Sequence, residues 1–428
     1  MPLLYYWAKH QHHISYNHSK TTRNGKKYHQ ALERLMTQTL FKMAVHLLVP
    51  YVLCLLNWIL ITIHRIHTCK WCRWLWCDDI LPKIHCRDST LAKHLIRRRG
   101  LLNRPYKPPI VLRNGYIQTL VGLIAKPLGD LQFEREYKQV GKGVVAIDWF
   151  IQHDVKLRRN SPIMLIVPRL TGDAVTVGNL CRTSSRRGFR PVVFNRRGHG
   201  HSFLTSPRLT STGDPSDARE AIGHISDKYP YVPLVAVGIG AGCATLFSYL
   251  GENGSSSLVK AAVCISPSYD NTEKLCKQIP KFYELFLLLD LKRMIISYWK
   301  ALHKVIDLKA AILRSWTLKE FDYHVYCKLY GIDTFKAFWQ KNDPMRDVDD
   351  IAVPVLCVNS LDDPVSVHEN IPLELFEFYP NLLLMTIDKG GHCAFYENVK
   401  GISWAETLAV SYCEGVLEFM TNSKLWYK

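Results

Sequence analysis

Three short stretches hold residue types that suit acyl-transfer chemistry. His392 follows Gly390-Gly391 at the end of an apolar run. Asp362-Asp363-Pro364 follows another, Val355–Val358. Gly238-Ile-Gly240-Ala-Gly242 follows a third, Leu234–Val237, and leads into a helical stretch. A histidine can take and return a proton near neutral pH, and a carboxylate can fix its tautomer and stabilise its charged form. The glycine stretch has three readings. It is a tight strand-to-helix turn, a dinucleotide loop, or the sharp turn that presents a nucleophile, G-x-S-x-G, with Gly240 in the serine's place. The dinucleotide reading is disfavoured, because that loop needs G-x-G-x-x-G with an acidic residue about 20 positions on. The plainer alternatives for the other two stretches are a histidine in a turn and an aspartate capping a helix.

The elements around these stretches set the order of the argument. Ile163–Val167, Pro191–Phe194, Leu234–Val237, Ala261–Ile265, Val355–Val358 and Leu382–Ile387 are short apolar runs without alternation. Such runs suit strands buried on both faces. Helical stretches such as Cys243–Leu250 lie between them. Strand–helix alternation predicts an α/β fold with a mostly parallel sheet wrapped by helices. Residues from about 271 to 345 hold no clear strand and predict a helical cap over the C-terminal edge of the sheet, where open α/β sheets bind ligands.

Turn, acid and histidine in that chain order match the α/β-hydrolase triad. Further stretches make the resemblance specific. Asn114-Gly-Tyr-Ile-Gln118-Thr119, Pro168-Arg-Leu-Thr-Gly172, Asn195-Arg-Arg-Gly198-His-Gly200, Pro207-Arg-Leu209 and Ser248-Tyr-Leu-Gly251 each resemble a motif of one branch. From about Lys107 to Asn398 the chain resembles the membrane-anchored branch of α/β-hydrolase-domain proteins, which includes medium-chain phospholipases, monoacylglycerol lipases and yeast ethanol acyltransferases. The resemblance implies His392 as base and Asp363 as its orienting acid, with Asp362 as the fallback. It implies oxyanion donors at the backbone N–H of Ala241 and of Arg169 or Leu170. It implies an acyl lipid or ester as ligand and requires no metal or other cofactor.

Two positions depart from that branch. Gly240 has no side chain to attack with, so the nucleophile position is degenerate. Arg169 stands where the branch has glycine, and a long cation there would crowd the pocket or bind an anionic group. Removing the nucleophile of a well-studied serine protease costs about 2 × 10⁶ in turnover. Cys243 lies about 300° around the helix from the turn and is badly placed to substitute, and Ser248 is further away. The expectation is an impaired hydrolase that binds a lipid or a protein partner. The alternative is an active acyl-ester hydrolase or acyltransferase in which His392 and Asp363 activate a water.

Composition bounds the rest. The 428 residues carry a net charge of +18 with 47% hydrophobic and 21% charged residues, which excludes a disordered or collagen-like chain. Residues 1–108 hold 18 basic and 4 acidic side chains, so the basicity belongs to the N-terminal part. A near-neutral main body, without zinc-finger spacing or a basic heptad region, argues against nucleic acid as a partner. Thirteen cysteines, an odd number, do not make a disulfide framework.

Ala44–Ile63 is twenty residues without formal charge, weakened by His46, Pro50 and Asn57. Twenty helical residues cover about 30 Å, the thickness of a bilayer's hydrocarbon core. Arg65, Lys70 and Arg73 beside Trp71, Trp74 and Trp76 resemble an interfacial belt. The reading is an uncleaved single-pass membrane anchor, with the endoplasmic reticulum as a candidate membrane. A buried or interfacial helix is the alternative. Basic residues on both flanks leave the orientation open. Cys69, Cys72 and Cys77 are candidates for palmitoylation or unmodified thiols. The expected organisation is a basic tail over 1–43, the anchor over 44–63, a basic linker over 64–106, and a hydrolase domain over 107–428.

Overall fold

The computed structural model describes residues 79–99, 104–124, 127, 129–269, 278–397 and 401–426. The basic tail, the apolar segment 44–63 and the cysteines at 69, 72 and 77 lie outside the described residues. Among the described residues no helix is long and apolar enough to cross a membrane.

Nine strands form one sheet: β1 Lys83–Cys86, β2 Gln132–Val140, β3 Gly143–Ile151, β4 Ile163–Val167, β5 Arg190–Asn195, β6 Leu234–Ile239, β7 Val259–Ile265, β8 Val355–Ser360 and β9 Leu382–Ile387, in the order β1-β9-β8-β7-β6-β4-β5-β3-β2. The six strands from β5 to β9 through β4 pair in parallel. The outer strands are antiparallel. All six predicted apolar runs are strands of the parallel part. Their lack of alternation has a direct cause. Met164 and Ile166 pack into one core while Ile163, Leu165 and Val167 pack into the other. Helices α1 Thr90–Arg99, α3 Gly178–Arg186 and α11 Trp404–Trp426 cover the first face. Helices α4 Ser216–Lys228, α5 Gly242–Asn253 and α10 Leu373–Phe378 cover the second. A short helix, α2 Gly115–Ile124, precedes β2.

Two features differ from expectation. Part of the stretch 64–106 is not a linker. β1 pairs with β9, Lys83 opposite Thr386, and Leu91 and Leu95 of α1 belong to the core. The basic residues of this stretch mask its structural role: α1 reads as a polar segment with only one narrow apolar stripe. The hairpin β2–β3 also escaped the sequence pattern, because β2 is half-exposed and rich in charge.

Between β7 and β8 the described residues hold helices and no strand: α6 Lys281–Ser297, α7 Leu308–Leu313, α8 Leu318–Asp322 and α9 Phe335–Lys341. This is the predicted cap insertion. Tyr283, Leu287, Leu291 and Ile295 recur every fourth residue along α6 and are all buried. Thr317 and Glu320 form a reciprocal cap at the start of α8. The helix then widens into a π-turn over Tyr323–Cys327. Asp322, at the start of that widening, and Tyr326, within it, line the cavity beneath the cap.

Candidate active site

Parallel strands end at the same edge of a sheet, so residues far apart in sequence meet there. The turn at Gly240 follows β6, the loop Pro168–Gly172 follows β4, Asp363 follows β8 and His392 follows β9. The strands carry the four pieces to one edge.

The turn at Gly240 is built by steric demand. A Cβ on Gly238 would lie 2.9 Å from the Cα and N of Cys243, and one on Gly242 would collide with the Val167 carbonyl oxygen. Only glycine at both positions lets α5 start this close to β4. Gly240 between them has φ +53°, a left-handed conformation. Its N–H donates to the Ile265 carbonyl at 2.9 Å, which ties the turn to the end of β7.

His392 Nδ1 lies 2.9 Å from Asp363 Oδ2. The other oxygen of Asp363 accepts from the N–H of Val365 at 2.7 Å and of Ser366 at 2.9 Å. The carboxylate is therefore fixed on both sides and buried. Asp362 has a different task. Its Oδ1 accepts from the Ser360 hydroxyl and from the N–H of Gly390 and Gly391, both at 3.0 Å. It shapes the loop that carries the histidine. The choice between two adjacent acids, open in the sequence, resolves to Asp363 as the histidine's partner.

The Gln-Thr pair holds the same loop. Thr119 Oγ1 accepts from the His392 N–H at 2.8 Å, and Gln118 Oε1 accepts from the Tyr396 N–H at 3.0 Å. The Tyr283 ring stands edge-on to the imidazole at 5.9 Å. Burial opposes the imidazolium, but Asp363 together with Cys393 and Tyr283 outweighs it, and the His392 pKa lies well above the ordinary histidine value.

His392 Nε2 faces Gly240. A Cβ placed on Gly240 would lie 3.4 Å from Nε2 and 3.6 Å from Arg169 Cβ. The same Cβ would lie 3.0 Å from Cys393 Sγ. Cys393 was not singled out from the sequence. Its signal was adjacency to His392, which means nothing until the loop geometry is known. Cys243 points elsewhere: it is fully buried and its thiol donates to the Ile265 carbonyl at 3.4 Å. Ser248 accepts from Arg346 Nη1 at 2.9 Å, also away from the turn.

Among the described residues the backbone N–H groups of Ala241, Arg169 and Leu170 donate to no other protein group. They are available to an oxyanion. The Leu170 carbonyl accepts from Arg196 Nη2 at 2.9 Å, which braces the loop from below. Arg196 also donates to the Thr210 carbonyl at 3.0 Å. Arg197 pairs with the buried Asp217 through two hydrogen bonds of 3.1 and 2.7 Å. These two arginines show why the turn after β5 carries the pair: one supports the Pro168–Gly172 loop and the other locks the turn to α4. Asp217 is a further residue the sequence reading missed.

The Arg169 guanidinium donates to the Gly122 carbonyl at 2.7 Å. Burial raises the Glu406 carboxyl to about 8, with the positive charge of Arg169 opposing that rise. Arg169 separates two cavities. One, of about 170 Å³, lies under the cap and is lined by Gly240, His392, Tyr283, Leu287, Leu291 and Trp339 among others. The other, of about 40 Å³, is bordered by Cys393, Tyr396 and Glu406. Burial pushes Asp322, in the first cavity, up to about 7.

The arrangement places a histidine on a carboxylate and three backbone N–H groups beside a cavity with apolar walls. Its sequence agrees with that geometry. Residues 162–399 match the family model described as alpha/beta hydrolase fold. The human Protein ABHD15 is 36% identical over 352 residues, covering 79% of this chain and 75% of that one. The bovine Phospholipase ABHD3 is 28% identical over 331 residues, covering 74% and 80%. The zebrafish Monoacylglycerol lipase ABHD2 is 27% identical over 373 residues, covering 80% and 87%. A family match across more than half the chain, on a sheet that brings turn, acid and histidine to one edge in the expected order, makes this chain a member of the α/β-hydrolase fold family.

Proposed function

We propose that this chain is a membrane-anchored family member of the lipid acyl-ester hydrolase type, in which serine-type catalysis is impaired and the cavity holds an acyl lipid. The observation that carries the reading is the aim of His392 and Asp363 at Gly240, a residue with no proton to give up and no atom to attack with. Glycine thus stands at the nucleophile's position within an otherwise retained base–acid geometry. The names of the bovine and zebrafish relatives, a phospholipase and a monoacylglycerol lipase, support acyl lipids as the ligand class. Leu287, Leu291 and Ile279 give the cavity apolar walls, while Arg196 and Asp322 make one part of it polar. That pattern suits an acyl chain with a polar end. The anchor at 44–63 and a protein partner are part of the same proposal, as is residence in the endoplasmic reticulum membrane.

Calorimetric titration of the full-length protein in detergent with an octyl ether lipid, which cannot be hydrolysed, tests the binding reading. Saturable binding and no covalent labelling by a fluorophosphonate are expected. Absence of binding, or His392-dependent labelling of the unmodified chain, would refute it. The retained 2.9 Å contact between His392 and Asp363 favours one other reading, an activated water in place of the serine. Steady hydrolysis of an octanoyl ester that vanishes in His392→Ala and survives in Cys393→Ala would establish that alternative.

A further inference from the structure

We propose that Cys393 is an acyl-accepting thiol that uses the histidine and oxyanion donors of this site in place of a serine. Its sulfur and His392 Nε2 converge on one point. They lie 3.0 Å and 3.4 Å from the place where a side chain on Gly240 would begin. Any residue larger than glycine there would put its Cβ in contact with the sulfur and cover it. The same substitution that removes one nucleophile uncovers another.

The backbone holds the thiol in this position against its own preference. Cys393 has φ +59°, a left-handed conformation that L-residues rarely adopt. Such conformations persist where surrounding contacts enforce them, and they gather at functional sites. Here the contacts are on both sides: the Cys393 N–H donates to Ser266 Oγ at 3.0 Å, and the preceding His392 N–H donates to Thr119 Oγ1 at 2.8 Å. Ser266, immediately after β7, is itself left-handed with φ +51°. These contacts hold the loop with the thiol beside Gly240.

The other cysteines of the fold provide a contrast. Cys243, Cys264 and Cys357 are fully buried, and burial raises each of their thiols. They behave as small apolar core residues. Cys393 is half-buried and borders the smaller cavity rather than the one under the cap, but its sulfur lies beside Gly240, which lines the latter. A thiol beside an imidazole is a nucleophile that such sites employ.

The step is balanced as an acyl transfer from an acyl ester. The Cys393 sulfur forms a bond to the ester carbonyl carbon, and the negative charge on the carbonyl oxygen falls to the N–H groups of Ala241 and the 169–170 loop. The thiol proton passes to His392 Nε2. The C–O bond then breaks, and the leaving alkoxide takes that proton and departs as the alcohol. The product is a thioester on Cys393. No oxidant or reductant is involved.

This inference rests on the reading that the cavity admits an acyl ester, which octyl ether binding tests separately. The full-length protein is mixed with p-nitrophenyl octanoate, quenched in acid and mapped by peptide mass spectrometry, with all thirteen cysteines followed. A single octanoyl group on Cys393 is expected. It should be absent in Cys393→Ala, unchanged in Cys86→Ser on the edge strand, and formed about 10²-fold more slowly or worse in His392→Ala, the low end of what a positioned base contributes. Octyl ether binding should persist in Cys393→Ala. Binding without an adduct at Cys393 would overturn the thiol proposal and leave the cavity reading intact. An adduct that forms equally fast in His392→Ala would overturn it too, because the thiol would then be merely reactive. Loss of both binding and adduct would defeat the two readings together.

Discussion

Gly240→Ser is the sharpest perturbation the structure offers, because it asks the site to accept the atom it lacks. The cost has two sources. Gly240 has φ +53°, and an L-residue in that region pays about 1–2 kcal/mol relative to glycine. The new Cβ would stand 3.0 Å from Cys393 Sγ, closer than ordinary contact, so the sulfur must give way by a few tenths of an ångström. A fall in melting temperature of a few degrees follows. The gain comes from the hydroxyl. The Cβ would be 3.4 Å from His392 Nε2, and an oxygen one bond further on falls within hydrogen-bond reach in a suitable rotamer. Hydrolysis of p-nitrophenyl octanoate should rise at least about 10²-fold, the low end for a positioned base. The ceiling is about 10⁶-fold, what losing such a nucleophile costs a serine protease. Gly240→Ser with Cys393→Ala should be both more stable and faster, since the crowding atom is gone. The gain must disappear when His392→Ala is added. A folded Gly240→Ser protein with no gain, or with a gain indifferent to His392, would refute the assignment of Gly240 to the nucleophile position.

Three other outcomes follow from the same geometry. Asp363→Asn should lower the His392 pKa, read from the imidazole proton shifts by NMR, whereas Asp362→Asn should leave that titration in place and instead lower the thermal stability by loosening the Gly390-Gly391 turn. A histidine pKa raised by folding adds stability that is complete below the unfolded value and lost as pH climbs through the folded one, so Asp363→Asn should also flatten the fall in stability as pH rises above the unfolded histidine value. Burial raises the Glu406 carboxyl from 4.5 to about 8, so the folded chain holds a proton the unfolded one has released. Stability should therefore fall as pH rises from about 4.5 to 8, and Glu406→Gln should remove that slope in denaturant titrations; an unchanged slope would show that the carboxyl is not the source. Asp217→Asn leaves the buried Arg197 charge without its partner and should cost about 3–5 kcal/mol by chemical denaturation, while an effect below about 1 kcal/mol would mean that water or Ser206 takes over the role.

Much of this architecture is legible in the linear chain, and the reason is local. Each strand of the parallel sheet is buried on both faces, so each appears as a short apolar run. The functional residues follow those runs directly, because strand ends are where an α/β sheet exposes its chemistry. Gly238 and Gly242 stand out for the same reason: a turn this sharp leaves no room for a Cβ at either position, and that demand acts on near neighbours in the chain. The order of turn, acid and histidine and the helices between β7 and β8 follow from near neighbours in sequence.

What remained hidden depends on distance through space. Asp362 and Asp363 are indistinguishable as letters; the hydrogen bonds from Gly390 and Gly391 to one, and the imidazole against the other, separate them. β1 joins the sheet by pairing with β9, 300 residues away, and its own four residues carry too short a pattern to announce a strand. Arg169 is an anomaly in the chain, and only the fold shows its guanidinium on the Gly122 carbonyl between two cavities. Cys393 is a core-sized residue in sequence and a neighbour of Gly240 in space. The chain by itself determined the six strands of the parallel part and the residues that follow them, because those are properties of adjacent residues. Tertiary structure decided which acid meets the histidine, which thiol lies beside Gly240 and which strand closes the sheet edge, because each depends on a partner that folding alone brings near.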